Sequence, residues 1–240
     1  MGRAMGAESP PEGGAARLVL VDDHELAREG LRDMLADAPN LEVVGEAADG
    51  REALELCRRV RPDLVLMDLR MPRMDGLAAT RAIKGELPET IVLVMTMHEN
   101  PDYLLEALRA GAAGYVLKDA AQDEVLAAVG GVLSGESPLA PALAARLLRR
   151  LATEVRESPN SHPPKYKSAR ITDPLTPREI EVLELLAQGK TNRQIAEDFV
   201  LSVGTVKNHV EHIIAKLGAS DRTQAVVLAL ELGIISFPEQ

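Results

Sequence analysis

The sequence predicts a doubly wound α/β domain built on a parallel sheet, followed by a small all-helical domain. Two observations predict the first domain. Five short apolar runs alternate with five helix-like stretches, and the runs are continuously apolar, which is typical of strands with helices on both faces. The last seventy or so residues lack strand patterns and contain short helical segments instead. At 240 residues, 46% of them hydrophobic, the chain is long enough to build two cores.

The elements of the first domain follow one another at a regular pace. The runs that predict strands are Leu18 to Val21, Val43 to Ala47, Leu64 to Met67, Ile91 to Thr96 and Gly114 to Leu117. The stretches that predict helices are roughly Glu25 to Ala36, Arg51 to Val60, Leu77 to Lys84, Tyr103 to Ala110 and Gln122 to Val132. Asp-Gly pairs at 49–50 and 75–76 predict turns. This alternation predicts a five-stranded parallel sheet.

Polar residues stand at the ends of four predicted strands. Asp22 and Asp23 follow the first strand, Asp68 follows the third, Thr96 ends the fourth and Lys118 follows the fifth. Taken singly, Thr96 would be an ordinary cap residue and Lys118 a solvated one. Because parallel strands end at one edge of a sheet, we expect the five to converge there. Oxygen-only ligands in a partly open site favour Mg²⁺, so the pattern indicates phosphoryl chemistry on an aspartate.

The helical domain is predicted from start and stop signals, beginning near residue 173. The segment Thr176 to Glu179 combines a capping threonine, a proline at the first helical position and a glutamate three positions on. Thr191 and Gln194 repeat this spacing, Ser202 caps a third helix and Gly218 ends it. A fourth helix is predicted from about residue 222 to residue 232. Short helices joined in this way indicate a helix-turn-helix, although small helical bundles without DNA function share the plan.

Two segments flank the predicted domains. Residues 1–16 are predicted to be a disordered tail that lacks the apolar core of a signal peptide. Residues 136–172 combine leucines spaced four apart with a Pro/Ser-rich stretch, which predicts a helical connector and a linker. No apolar run reaches membrane-spanning length, and the one cysteine, Cys57, excludes an internal disulfide framework. We therefore expect a cytoplasmic protein without a membrane partner.

The charge of the chain limits how it could bind DNA. The net charge is −10, and residues 170–240 alone hold 7 Lys and Arg against 10 Asp and Glu, a balance of −3. Neither predicted domain is globally basic, so DNA affinity must come from a few well-placed cations. One copy should bind weakly, and two copies on paired half-sites would supply the missing affinity.

With its polar residues at the strand ends, the segment 17–135 resembles the receiver domain of bacterial response regulators. The resemblance implies a flavodoxin-like fold in which Asp68 accepts a phosphoryl group from the phosphohistidine of a cognate histidine kinase. It also implies a bound Mg²⁺, held by Asp23, Asp68 and the backbone carbonyl of Arg70, with Asp22 binding a metal-bound water.

The same resemblance assigns the switch residues and suggests how long the phosphoryl group persists. Lys118 would pair with the phosphoryl group, Thr96 would donate its hydroxyl to it, and Tyr115 would turn inward as Thr96 moves. Arg70 and His98 hold positions that flank the attacking water in this family. Both side chains are bulky, so we expect slow hydrolysis.

The segment LTPREIEVLELLAQGKTNRQIAEDFVLSVGTVKNHVEHIIAKLGASDRTQAV resembles the four-helix DNA-binding domain of the LuxR type, here 173–240. The two resemblances together indicate a NarL/FixJ-type response regulator that binds double-stranded DNA and forms a homodimer on activation. Lys207 and Asn208 match positions that face the major groove. Candidate phosphate contacts are Thr191, Asn192, Thr205, His209, His212 and Lys216. Glu211 departs from relatives that place a cation there, which leaves base preference open.

Further alternatives stay open at this point. The last predicted helix carries a stripe of mostly small residues, Ala225, Val226, Ala229 and Leu230, that supports pairing in the family, although it could equally pack in the core. The receiver could be a constitutive dimerisation scaffold rather than a switch. A metal-dependent phosphatase would need a second carboxylate two residues after its nucleophile, where this chain has Arg70, so we expect no enzyme. The cognate kinase, the promoters, the sign of regulation and whether the unphosphorylated form is closed remain undetermined by sequence.

Overall fold

The computed structural model describes residues 14–97, 101–135, 173–219 and 221–235. The predicted connector and linker, most of the predicted tail and His98 lie outside the described residues. Within these ranges the chain forms the two predicted parts, a sheet covered by helices and then a group of helices.

Strands and helices alternate through the first part. Among the described residues its strands are β1 (Ala16–Val21), β2 (Leu41–Ala47), β3 (Leu64–Asp68), β4 (Ile91–Thr96) and β5 (Gly114–Leu117). Its helices are α1 (Glu25–Ala36), α2 (Gly50–Val60), α3 (Gly76–Glu86), α4 (Pro101–Ala110) and α5 (Gln122–Leu133). Every strand pairing is parallel, in the order β2-β1-β3-β4-β5. This confirms the predicted doubly wound five-stranded sheet.

Residues in the central strand of the sheet are more deeply buried by helices than residues in the edge strand β2. All five residues of β3 are buried, as expected of a central strand with helices on both faces. Most residues of β2 are only half-buried, because β2 is an edge strand with β1 as its single neighbour. Its charged Glu42 and Glu46 fit that position. Cover on both faces therefore holds at the centre of the sheet and not at β2.

The two Asp-Gly pairs begin helices. The Asp49 side chain accepts hydrogen bonds from the backbone N–H groups of Arg51 and Glu52, at 2.7 and 2.9 Å, and so caps α2. Asp75 caps α3 by accepting from Ala78 N–H at 2.7 Å. The sequence predicted turns at these two pairs, and the chain does change direction there. It did not predict that the aspartates would cap the helices that follow.

The second part consists, among the described residues, of α6 (Pro177–Ala187), α7 (Asn192–Phe199), α8 (Val203–Leu217) and α9 (Arg222–Glu231). The capping boxes predicted at Thr176 and Thr191 are both formed. Gly218 ends α8 with a φ of +63°, a conformation that favours glycine. The stripe of α8 that points into the core is the predicted one, Val206, Val210, Ile213 and Leu217.

The two parts share a hydrophobic core across a seam formed by α4 and α9. Leu104, Leu105 and Leu108 of α4 belong to the same buried cluster as the core of the helical part. The Thr223 hydroxyl donates to the carbonyl oxygen of Ala113 at 3.0 Å, in a buried position. Thr223 is the second residue of α9. At the last residue of this helix, the carboxylate of Glu231 lies 3.1 Å from the guanidinium of Arg109. None of the described helices combines the length and the apolar character that crossing a membrane requires.

Candidate functional site

One edge of the sheet gathers the predicted polar residues. Asp22 directly follows β1, Asp68 and Thr96 are the last residues of β3 and β4, and Lys118 directly follows β5. The backbone N–H of Lys118 donates to the carbonyl oxygen of Thr96 at 2.9 Å, which ties the ends of β4 and β5 together. The parallel topology thus brings residues from four strands to the same place.

Lys118 bridges the two buried carboxylates at this edge. Its ammonium nitrogen lies 2.5 Å from Asp22 Oδ2 and 2.9 Å from Asp68 Oδ2. Burial by itself lowers the pKa of Lys118, but the hydrogen bonds to Asp22 and Asp68 outweigh it and raise that pKa above its ordinary value. Burial also raises the pKa of Asp68, an effect that Lys118 partly opposes. The site therefore holds a charged lysine against the carboxylate predicted to react.

The carboxylates of this edge fit a hard divalent cation. Asp22 and Asp68 are buried, and Asp23 lines an open cleft of about 620 Å³ together with Thr96. Asp22 and Asp68 share the ammonium of Lys118, and Asp23 adds a third carboxylate beside them, so an additional positive charge would balance the group. Among the described residues, the side chains close enough together to hold one ion are those of Asp22, Asp23 and His24, and the carboxylate oxygens of the two aspartates are the type that Mg²⁺ prefers. His24 lies beside them, with its Nδ1 2.9 Å from Asp23 Oδ1, and is otherwise exposed.

The loop after Asp68 is fixed by contacts that sequence reasoning missed. A Cβ atom placed on Gly76 would lie 2.0 Å from the carbonyl oxygen of Asp68, so α3 can begin there only with glycine. Arg73 has a φ of +64° and forms ion pairs with Asp49 and Glu52 at the start of α2. Gly76 followed the capping aspartate in the sequence and could have been recognised. Nothing local marks an arginine for a left-handed conformation.

Two aromatic side chains lie near the switch residues. Tyr115, on β5, is half-buried and packs against both the sheet core and the core shared with the helical part. Tyr103, on α4, lines the open cleft with Arg70, whose guanidinium carbon lies 5.9 Å from the centre of the Tyr103 ring. The resemblance to receiver domains assigned roles to Tyr115 and Arg70 but gave Tyr103 none.

Most of the predicted DNA-contacting residues lie on the solvent side of α8. Lys207, Asn208, Glu211, His212 and Thr205 are exposed there. His209, the other candidate on this helix near its beginning, is half-buried. This face is the one opposite the buried stripe, as expected of a helix that could enter a major groove.

The remaining candidates have structural partners. Thr191 caps α7, and Asn192 is buried and accepts a hydrogen bond from Arg222 at 3.3 Å. The Lys216 ammonium lies 2.7 Å from the buried carboxylate of Glu179. Contacts of these three residues with DNA stay predictions. Arg222, which also donates to the Lys190 carbonyl at 2.7 Å, was not recognised from the sequence.

The middle of α8 faces the first part across a cleft of about 280 Å³. From the helical part, Lys207, Glu211 and Asn192 line this cleft. From the first part it is lined by Glu89, by Ile91 of β4, by Ala113 just before β5, and by the end of α5 with the two residues that follow it. Three of the residues predicted to contact DNA, Asn192, Lys207 and Glu211, therefore line a cleft against the sheet domain of the same chain.

Comparisons with known proteins cover nearly the whole chain. Residues 18–130 match the family model for the response regulator receiver domain, and residues 173–229 match that for bacterial regulatory proteins of the luxR family. Transcriptional regulatory protein DegU of Brevibacillus brevis is 39% identical over 223 residues, which covers 90% of this chain and 94% of that protein. Transcriptional regulatory protein LiaR of Bacillus subtilis is 40% identical and covers 89% and 96%.

A solved structure extends this similarity to the fold. The crystal structure of a LuxR-family two-component response regulator from Aurantimonas sp. SI85-9A1 is 39% identical, with a TM-score of 0.53. It covers 57% of this chain and 98% of that one.

Proposed function

Because this chain belongs to the two-component response regulators that join a receiver domain to a LuxR-type DNA-binding domain, we propose that Asp68 is its phosphoacceptor. A chain of this family is a transcriptional regulator switched by phosphorylation. The observation that carries the assignment is the bridge from Lys118 to Asp22 and Asp68, beside Thr96. This arrangement pairs a nucleophile with a fixed positive charge where a phosphoryl group would develop negative charge.

The transfer itself is a displacement at phosphorus. A carboxylate oxygen of Asp68 attacks the phosphohistidine of a histidine kinase; the new O–P bond forms as the P–N bond breaks, and the imidazole nitrogen leaves with the electron pair. Mg²⁺, when held by Asp23, Asp68 and the Arg70 carbonyl, with Asp22 acting through a water, supplies further positive charge for the phosphoryl oxygens. Lys118 then pairs with a phosphoryl oxygen instead of the Asp68 carboxylate.

The negative charge of the phosphoryl group would change the positions of Thr96, at the end of β4, and of Tyr115 on β5. The Thr96 hydroxyl donates to the phosphoryl group, which draws the end of β4 inward, and Tyr115 follows into the space this leaves. Because Tyr115 packs against the shared core, its movement changes the surface on which α4 and α9 meet. Phosphorylation would thereby loosen the seam between the domains.

We propose that the described conformation is closed to DNA. Lys207 and Glu211 of α8 line a cleft of about 280 Å³ whose other wall is the sheet domain, so that domain would stand next to a duplex that takes α8 into its major groove. The predicted pairing stripe of α9 is buried within the same chain, so it is not free for a second copy. Opening would move the sheet domain away from the side of α8 that lines the cleft and would expose α9, and a homodimer on paired half-sites would gain affinity through effective concentration.

Two alternatives have less support. A constitutive scaffold would not need the complete set of Asp22, Asp23, Asp68, Thr96 and Lys118. A phosphatase would need a second carboxylate two residues after its nucleophile, and that position carries Arg70. With a histidine kinase and double-stranded DNA as partners, the protein is proposed to act in the cytoplasm without catalysing turnover.

The test uses the full chain, incubated with acetyl phosphate and Mg²⁺. Intact mass should show one added phosphoryl group in the wild type and in the control Asp33→Asn, which removes an exposed carboxylate of α1. Asp68→Asn should show none. The solution molecular weight and the affinity for a mixed-sequence duplex should rise only where the adduct forms. An adduct on Asp68→Asn would contradict the assignment, and an adduct without either rise would favour the constitutive scaffold.

A further inference from the structure

We propose that Tyr103 is a positioning residue that holds the Arg70 side chain across the mouth of the phosphoacceptor cleft, and that this pair slows hydrolysis of the acyl phosphate. This role rests on Asp68 being the phosphoacceptor. It adds a residue of α4 to the groups that set how long the phosphorylated state lasts.

Arg70 is anchored at both of its ends. Its backbone N–H donates a hydrogen bond to the Asp68 carboxylate. Its guanidinium carbon lies 5.9 Å from the centre of the Tyr103 ring, within the range in which a cation is attracted to an aromatic face. The residue therefore extends from the reacting group to α4, on the other side of the cleft.

The cleft that this pair lines is large enough to hold water next to Asp23 and Thr96, at the edge of the sheet where Asp68 lies. It has a volume of about 620 Å³ and is lined by Asp23 and Thr96 as well as by Arg70 and Tyr103. One water molecule occupies about 30 Å³ in the liquid, so many would fit. Something at the mouth must limit the approach of water if the acyl phosphate is to persist.

Because Asp68 is buried, an attacking water would reach the phosphoryl group from the open cleft. The water oxygen must approach phosphorus roughly in line with the bond to Asp68. The new O–P bond forms as the bond from phosphorus to the Asp68 oxygen breaks, and the carboxylate leaves with the electron pair. The water gives up a proton to solvent, and inorganic phosphate departs. A side chain held over the cleft obstructs this approach.

The Tyr103 ring restricts the conformations that the Arg70 side chain can adopt. A free arginine side chain samples many rotamers, and Arg70 is an exposed residue, so on its own it would cover the cleft only part of the time. Tyr103 is 48% exposed, which is a large value for an aromatic residue and shows that the ring is not needed to fill the core. Its ring can restrict Arg70 without otherwise supporting the fold.

The experiment measures the half-life of the acyl phosphate on the full-length protein after the phosphodonor is removed. The variants are Tyr103→Leu, Tyr103→Phe, Arg70→Ala and the double variant Arg70→Ala/Tyr103→Leu. Arg81→Ala, which removes an exposed cation from α3, controls for net charge. Tyr103→Leu should shorten the half-life about two- to fivefold, as expected for loss of one exposed cation–π contact.

Three further readings distinguish positioning from general structural support. Tyr103→Phe keeps the ring and should retain the wild-type half-life, and the double variant should match Arg70→Ala alone because Tyr103 acts through Arg70. The melting temperatures of the unphosphorylated variants should agree. An unchanged half-life in Tyr103→Leu, a Phe variant as short-lived as the Leu variant, or additive effects in the double variant would each overturn the role of Tyr103. A wild type that forms no acyl phosphate would overturn the proposed function together with it.

Discussion

Glu179 shows how a single buried carboxylate can join two helices. It completes the capping box of α6 and accepts a hydrogen bond from Lys216 of α8 at 2.7 Å. Burial by itself raises the pKa of Glu179, but the hydrogen bonds from Lys216 and Thr176 outweigh burial and hold that pKa below its ordinary value. The side chain is therefore charged at neutral pH and stabilises the DNA-binding domain in that form.

The stability of this domain should consequently fall in acid. Since the pKa of Glu179 is lower in the folded state than its ordinary value of 4.5, its contribution is complete above that pH and is lost as the pH falls toward the folded pKa. Glu179→Gln should reduce the free energy of unfolding by about 1–3 kcal/mol at pH 7 and flatten its acid dependence. Urea titrations of the full chain between pH 3 and 7 would measure both effects.

Glu181→Gln is the matched control, because it removes an exposed carboxylate from the same helix. It should leave both the stability at pH 7 and its acid dependence nearly unchanged. Equal acid sensitivity in Glu179→Gln and the wild type would show that the pair with Lys216 does not stabilise the fold.

At the scale of elements, the loop between β3 and α3 depends on one close approach of two backbones. Gly76→Ala would push a methyl group against the Asp68 carbonyl, a backbone atom that cannot rotate away. We expect a loss of stability of about 1–3 kcal/mol and slower phosphorylation by acetyl phosphate, because Asp68 must shift. Denaturant titration and the rate of phosphorylation would measure these effects.

The same helix offers the control. Gly85, near the end of α3, has open space around its Cβ position among the described residues, so Gly85→Ala should be neutral or slightly stabilising. If Gly76→Ala behaved like Gly85→Ala, the close approach to Asp68 would not constrain the loop.

Elements were predictable where local patterns determine them. The strands, the capping boxes at Thr176 and Thr191 and the glycine that ends α8 all follow from periodicity and capping within a few residues. The convergence of Asp22, Asp68 and Lys118 followed from parallel topology. The Glu179–Lys216 pair could not be predicted in this way, because its partners are 37 residues apart and nothing local links them.

At the scale of the whole molecule, the ion pair between Arg109 and Glu231 should help to keep the domains together. The Glu231 side chain is 9% exposed, and among the described residues its second carboxylate oxygen is buried without a hydrogen-bond partner. Arg109→Ala would leave this carboxylate without the Arg109 cation in the closed form, whereas water would solvate it in the open form. We expect the ratio of open to closed molecules at equilibrium to rise roughly tenfold.

Small-angle scattering on the unphosphorylated protein would measure this shift as an increase in the radius of gyration. Adding Glu231→Gln to Arg109→Ala should partly reverse it, because a neutral amide is less costly to bury. Arg81→Ala serves again as the charge control. Identical scattering from Arg109→Ala and the wild type would mean that the ion pair does not hold the seam.

The seam itself was the least predictable feature. The hydrogen bond from Thr223 to Ala113 joins residues 110 positions apart, and neither carries a sequence signal for it. The apolar sequence of α9 did indicate a buried helix, although only one of its faces was predicted to be covered. Residues 225–230 of α9 are apolar on every face, which indicates a helix covered on all sides, whereas only a single stripe was considered. In the structure, α4 packs against α9 and buries the part of its surface that the helical domain leaves uncovered.

The shared core also affects the nascent chain. Leu104, Leu105 and Leu108 of α4 are covered by α9, which begins more than a hundred residues later at Arg222. At bacterial rates of translation the ribosome needs on the order of ten seconds to synthesise that intervening chain. During this interval a folded receiver presents an uncovered leucine surface to the cell. Chaperone binding to the growing polypeptide should therefore be strongest after the receiver emerges and should end once α9 docks.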